Sequence, residues 1–122
     1  MDESTIQPAE LKALIDAGRA PVLLDVRQPE EAEAASIAGA VLIPMPEIPA
    51  RSGELDRSAP TVVYCHHGIR SAQVAAFLKR SGFADVRNLA GGIEAWSTQV
   101  DPSVPRYRYD GRRVMVLPGP GR

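Results

Sequence analysis

The residues able to do chemistry are gathered in one stretch, Tyr64-Cys65-His66-His67-Gly68-Ile69-Arg70-Ser71. It holds the only cysteine of the 122-residue chain and both of its histidines. A thiol beside basic side chains is the setting of a nucleophilic cysteine, because the thiolate is the reacting form. Four residues separate Cys65 from Arg70, and Gly68 supplies a point where the backbone can turn. Val62-Val63-Tyr64 reads as strand, and a helical pattern opens at about Ser71. A cysteine at such a junction meets several backbone N–H groups and a helix N-terminus, which together cradle an anion. Nucleophile, activating field and anion site fall within seven residues.

Each residue also has a plain structural reading. Cys65 can be a buried small hydrophobe. His66 and His67 can be packing or surface side chains, and Arg70 a salt-bridge partner that only shapes the loop. Cys65, His66 and His67 are the soft ligands of the chain, and three adjacent residues cannot readily close one tetrahedral metal site. If the histidines act, chemistry at Cys65 responds to pH between ~6 and ~7.5, where an ordinary imidazole titrates.

One cysteine forms no internal disulfide, so the fold rests on its apolar core. Lys and Arg number 14 and Asp and Glu 15, a balance that argues against a nucleic-acid binder. Hydrophobic residues at 44% and charged residues at 24% match a globular domain. No apolar run is long enough to span a membrane and no signal peptide is evident, so a cytoplasmic location without membrane partners is expected. The charge is unevenly spread: residues 1–60 carry 5 basic and 11 acidic side chains, residues 61–122 carry 9 and 4. That pattern fits two faces that attract each other, or a positive field around the thiol that draws in anions.

Elements that could position this stretch are legible on both sides. Pro8 begins a helix over 9–17, with Leu11, Leu14 and Ile15 on one face and Gly18 closing it. Val22 to Val26 and Ala40 to Ile43 read as buried strands, the second stopped by Pro44. Gln28-Pro29-Glu30-Glu31-Ala32 is a helix start with acids in the first turn. Pro44, Pro46 and Pro49 mark a constrained connection with a short helix. A helix over 71–81, a strand over 84–89 and a helix from Gly91-Gly92 through Trp96 follow. Strands alternating with helices imply an α/β fold with a parallel sheet covered on both faces. Asp110-Gly111 between two strand-like halves signals a hairpin over 107–116, and Pro118 to Arg122 reads as a frayed end.

Five features in order resemble the single-domain rhodaneses, a sulfurtransferase family, over roughly residues 5–105. They are Leu23-Leu24-Asp25-Val26-Arg27 with Pro29-Glu30-Glu31; Ile37-Ala38-Gly39-Ala40 with Ile43-Pro44; the Cys65 loop; Gly82-Phe83 with Val86 and Leu89; and Gly91-Gly92-Ile93-Glu94-Ala95-Trp96. The resemblance implies a rhodanese-like domain over 1–105, with a parallel sheet of about five strands, and a C-terminal extension over 106–122. It implies Cys65 as catalytic nucleophile and residues His66, His67, Gly68, Ile69, Arg70 and Ser71 as the loop that binds a persulfide. Asp25 and Arg27, at the end of the neighbouring strand, would support that loop and bind substrate, or form a structural pair, Arg27 with Glu31 or with Asp25. The implied donor is a small anion such as thiosulfate, and the acceptor cyanide, a thiol or a sulfur-carrier protein, with no cofactor. Two departures stand out. Ala35-Ser36 precedes Ile37 where the family usually has Gly-His, and His66 follows the cysteine where Arg or Lys is frequent. The tail around Val100 to Tyr107 is similar to rhodanese domains fused to adenylyltransferases of sulfur-carrier pathways. Competing readings are a cysteine-dependent phosphatase, whose loop is C-x5-R and not C-x4-R, an arsenate reductase, and a non-catalytic binding module.

Overall fold

Leu23-Leu24 and Val62-Val63 are apolar pairs whose members point to opposite faces of a strand, so both faces of their sheet must be covered. The computed structural model describes residues 4–119. Five strands form one parallel sheet: β1 (Thr5–Ile6), β2 (Val22–Asp25), β3 (Val41–Leu42), β4 (Thr61–Tyr64) and β5 (Val86–Leu89), in the order β1-β5-β4-β2-β3. The helices are α1 (Pro8–Asp16), α2 (Pro29–Ala34), α3 (Ile48–Arg51), α4 (Ile69–Arg80) and α5 (Gly92–Gln99). One core gathers Leu11 of α1 and Ile93 and Trp96 of α5 with Leu23, Val62 and Tyr64. The other gathers Ile48 of α3 and Val74, Ala75 and Leu78 of α4 with Leu24, Val63 and Cys65. Val74 and Leu78 each contribute ~1.5–3 kcal/mol by leaving water. Cys65 continues the pleat of Val63, which puts it on the α4 face.

Helix starts are encoded twice by the same four-residue pattern. In Gln7-Pro8-Ala9-Glu10 and Gln28-Pro29-Glu30-Glu31, proline takes the first helical position. Glu10 and Glu31 reach back to accept the N–H of Gln7 (3.0 Å) and of Gln28 (3.1 Å).

Several boundaries differ from expectation for local reasons. The expected buried strand at 40–43 is a two-residue edge: β3 pairs with β2 alone and Val41 is 45% exposed, while Ile43 is buried. Helix α4 begins at Ile69, two residues early, because Gly68 turns the chain at φ +101° and its carbonyl already accepts the Ala72 N–H (3.3 Å). Strand β5 starts at Val86, and α5 runs on to Gln99. The hairpin forms as β6 (Tyr107–Tyr109) paired antiparallel with β7 (Val114–Val116). Asp110 ties its turn by accepting the N–H groups of Arg112 and Arg113, each at 2.8 Å. Of the expected frayed end, residues 120–122 lie outside the described residues. Among the described residues no helix is long and apolar enough to cross a membrane.

The N-terminus of α5 is docked on the cysteine loop. Ile93 and Glu94 donate their N–H groups to the carbonyls of Cys65 (2.9 Å) and His66 (3.1 Å). The approach is possible because Gly92 has no side chain: a Cβ there would lie 2.6 Å from the Cys65 carbonyl oxygen and closer still to that of His66. Its φ of +63° adds strain for any other residue. Gly92→Ala is therefore expected to cost roughly 2–4 kcal/mol, combining backbone strain and overlap. A urea midpoint matching the unsubstituted protein would contradict this docking geometry.

Candidate active site

Strand β4 delivers Cys65 to the C-terminal edge of the sheet, where parallel α/β sheets place their ligand sites. The chain then turns at Gly68 and enters α4. This turn aims two backbone donors at one sulfur and sets a hydroxyl beside it. The Gly68 N–H lies 3.1 Å from Cys65 Sγ, the Ser71 N–H 3.4 Å and the Ser71 hydroxyl 3.3 Å. Such donors favour negative charge on the sulfur. Cys65 is 1% exposed and touches a cavity of about 430 Å³ also lined by His67, Ile69, Arg70 and Tyr109. A second cavity of about 800 Å³ shares His66, His67 and Tyr109 with it and is walled by the hairpin.

Asn88 of β5 completes the turn. Its Nδ2 donates to the Gly68 carbonyl (3.0 Å), which leaves Oδ1 to accept the Ser71 hydroxyl (2.5 Å). The Ser71 hydroxyl has one proton and two acceptors in reach, Asn88 Oδ1 and Cys65 Sγ. The sequence reading did not single out Asn88. The available signal was a polar residue in a strand adjacent to β4, near the end that carries the site.

Arg70 is clamped. Its Nη1 and Nη2 bind Glu31 Oε1 (2.7 Å) and Oε2 (2.9 Å) in a two-pronged pair. Glu31 has no solvent exposure. Burial alone would push its carboxyl up, but Arg70, the Tyr107 hydroxyl (2.8 Å) and the Gln28 N–H outweigh that and hold it below the usual range. Glu31 therefore both caps α2 and anchors the cysteine loop.

Asp25 and Arg27 lie beneath the loop as a buried pair. Arg27 Nε and Nη2 reach Asp25 Oδ1 (2.8 Å) and Oδ2 (2.6 Å). Nη2 also donates to the Ala35 carbonyl (2.7 Å), and Nη1 to the Glu31 carbonyl (3.3 Å) and the Tyr107 hydroxyl (3.1 Å). Burial opposes the charge of Arg27, yet its bonds to Asp25 keep it firmly protonated. All five of its donors are engaged within the protein. Of the supporting roles the sequence allowed, this geometry matches the structural pair.

The two histidines part company. His67 is exposed, whereas His66 is 7% exposed with its ring between His67 (centroids 3.9 Å) and a stacked Tyr107 (4.0 Å). Among the described residues its Nε2 has no hydrogen-bond partner. Burial, then the neighbouring His67, pushes the His66 imidazolium down to about 4. His66 is therefore neutral from pH 6 to 7.5, and the expected pH response in that window does not come from it. Tyr107 was not singled out by the sequence reading either, and its partner Glu31 stands 76 positions away.

The sign of the His66 effect is fixed. Between pH 6.5 and 4 the unfolded chain binds a proton there that the folded chain rejects, so folding stability falls as pH falls through that window. The loss is roughly 1–3 kcal/mol. Replacing the ring by one that stacks but does not titrate, His66→Phe, should remove this part. The stability difference between the two proteins, read by denaturant unfolding, should change by that amount from pH 7 to 4. A pH-independent difference would contradict the burial of a neutral imidazole.

The sequence profile of the Rhodanese-like domain matches residues 7–99. The probable adenylyltransferase/sulfurtransferase MoeZ of Mycobacterium tuberculosis is 42% identical over 106 residues, 85% of this chain. This chain spans only 27% of that relative's length. The putative sulfurtransferase YtwF of Bacillus subtilis is 37% identical over 84% of this chain and 98% of its own. A rhodanese-related protein from Thermoplasma volcanium superposes with a TM-score of 0.69 at 36% identity, covering 75% of this chain and 88% of that one. With its five-stranded parallel sheet, its loop from β4 to α4 and the extent of these matches, the chain belongs to the rhodanese-like domain family.

Proposed function

We propose that this protein is a sulfurtransferase whose nucleophile is Cys65 and whose covalent intermediate is a Cys65 persulfide. The observation that carries the reading is the convergence of the Gly68 and Ser71 N–H groups on Cys65 Sγ at a strand tip, with the Ser71 hydroxyl beside them. Sulfurtransferase-named relatives support it.

With thiosulfate as donor, the Cys65 thiolate attacks the outer sulfur. A bond forms from Sγ to that sulfur, the sulfur–sulfur bond of thiosulfate breaks, and sulfite leaves with the electron pair. A nucleophilic acceptor then attacks the terminal sulfur. The Sγ–S bond breaks and the Cys65 thiolate returns. Cyanide, a small thiol or the thiol of a sulfur-carrier protein can play this second part, and a relative named as a putative sulfur carrier protein, YrkF of Bacillus subtilis, supports the last. Atoms and electrons balance without an external oxidant. Backbone N–H groups of the turn stabilise charge on the outer sulfur in both steps, an oxyanion-hole effect acting on sulfur. Because the chain has no second cysteine, an outside nucleophile must discharge the persulfide. A thiol nucleophile of this kind belongs in a reducing compartment, as the cytoplasm is.

The four-residue spacing from Cys65 to Arg70 favours sulfur transfer over phosphoryl transfer, since a tighter turn has less room for a tetrahedral group. Incubation with thiosulfate should add the mass of one sulfur atom to the intact protein. Cyanide should remove it, and Cys65→Ser should never acquire it. Absence of any adduct with thiosulfate or another persulfide-forming donor, or turnover of an aryl phosphate, would overturn the proposal.

A further inference from the structure

Tyr107 is the first residue of β6 and lies beyond the residues matched by the family profile. It is 3% exposed and touches the site in two ways. Its hydroxyl accepts from Arg27 Nη1 (3.1 Å) and donates to Glu31 Oε2 (2.8 Å). Its ring stacks on His66, the neighbour of Cys65, at 4.0 Å and 10°. One side chain of the hairpin thus holds both the carboxylate that clamps Arg70 and the ring that follows the cysteine. We propose that Tyr107 is a positioning residue for the Cys65 loop, acting through Glu31 and Arg70, and that the C-terminal hairpin is in this way part of the site. The inference rests on the reading of Cys65 as the nucleophile.

The physical reason is the isolation of Glu31. Its carboxylate is fully buried and has no water to replace a lost donor. Without the Tyr107 hydroxyl, Oε2 keeps only Arg70 Nη2, and Arg27 Nη1 loses an acceptor. A less compensated buried carboxylate takes up a proton more readily, and the protonated acid releases Arg70. Titratable and charged groups facing Glu31 are Arg27 ahead of α2, Arg70 on α4, His66 in the loop, and Tyr107 and Tyr109 on β6. Burial pushes Tyr107 up, so its hydroxyl stays a donor wherever the protein is folded. Effects of losing that hydroxyl must therefore grow as pH falls toward the carboxylate range.

The test is alkylation of Cys65 by iodoacetamide on the full chain, which needs no sulfur donor. Tyr107→Phe keeps the ring against His66 and removes the hydroxyl. Relative to the unsubstituted protein it should slow alkylation about 2-fold at pH 7.5 and about 10-fold at pH 5, as expected for a lost buried hydrogen bond to a charged group. Glu31→Gln breaks the clamp directly and should reproduce the slowing. In that background, adding Tyr107→Phe should change the rate less than about 1.5-fold, the mark of two residues acting as one unit. A ratio that does not vary with pH, additive effects, or unchanged alkylation in either variant would overturn the inference. Circular dichroism checks that each variant folds, and Tyr107→Leu, which also removes the hydroxyl, carries the same test if Tyr107→Phe does not. A chain that alkylates as described but takes no sulfur from any donor would refute the sulfur-transfer reading and leave the positioning role standing.

Discussion

A carboxylate without solvent must be compensated by the protein itself, and Glu31 is such a group. Burying an ionised acid costs several kcal/mol unless donors surround it. Here the donors come from three parts of the chain: the Gln28 N–H at the start of α2, the Arg70 guanidinium on α4 and the Tyr107 hydroxyl on β6. None can move without leaving the charge exposed to an apolar interior. The cysteine loop inherits this rigidity, because Arg70 sits one residue before Ser71, whose N–H points at Sγ. Below this layer, Asp25 and Arg27 repeat the principle with all five guanidinium donors used. Arg27 and Tyr107 join the two layers into one network. Such a network contributes less to net stability than to holding one arrangement, since its ions were costly to bury.

The loop is held equally firmly from the other side by backbone. Helix α5 meets the carbonyls of Cys65 and His66 with its first free N–H groups. Asn88 draws the Gly68 carbonyl in a further direction. With these carbonyls committed elsewhere, the Gly68 and Ser71 N–H groups are the ones that face Sγ. A single side chain on Gly92 would separate α5 from the loop, so the donor set at Cys65 depends on a glycine 27 positions downstream.

What was legible in the sequence is what local chemistry dictates. Val62 to Tyr64 ahead of Cys65, Gly68 at the turn and the helix behind it describe the setting of the cysteine without any distant contact. The same holds for the Gln-Pro-x-Glu caps and for the hairpin turn at Asp110-Gly111. What was not legible depends on partners far along the chain. Glu31 reads as a capping acid, and nothing local says that Arg70, 39 positions later, will bind it. Tyr107 reads as a strand residue of a hairpin, and its burial between Arg27, Glu31 and His66 follows only once the chain has folded back. Sequence leaves His66 open as a packing or a surface side chain, either titrating beside the thiol or not; stacking against Tyr107 removes it from water and from the neutral pH range. Strand 40–43 looked buried because its residues are apolar, yet an edge strand has a partner on one side only.

The uneven charge of the two halves takes on a different meaning in three dimensions. Among the described residues, the ion pairs are almost all local: Lys12 with Asp16, Arg27 with Asp25, Arg51 with Glu47 and Glu54, Arg87 with Asp85, Arg106 with Glu94. Among the described residues, only Arg70 with Glu31 joins the acidic half to the basic half. The halves are therefore not two complementary faces zipped together by charge. Positive charge left over in the second half collects on the hairpin, where Arg108, Arg112 and Arg113 are exposed and make no ion pair among the described residues. Arg108 and Arg113 line the cavity that shares His66, His67 and Tyr109 with the cavity at Cys65. A cationic wall beside a recessed sulfur raises the local concentration of anions without contacting the reacting atom. Arg70 is paired with Glu31, so among the described residues the guanidinium groups that line these cavities without an ion pair are those of Arg108 and Arg113 on the hairpin.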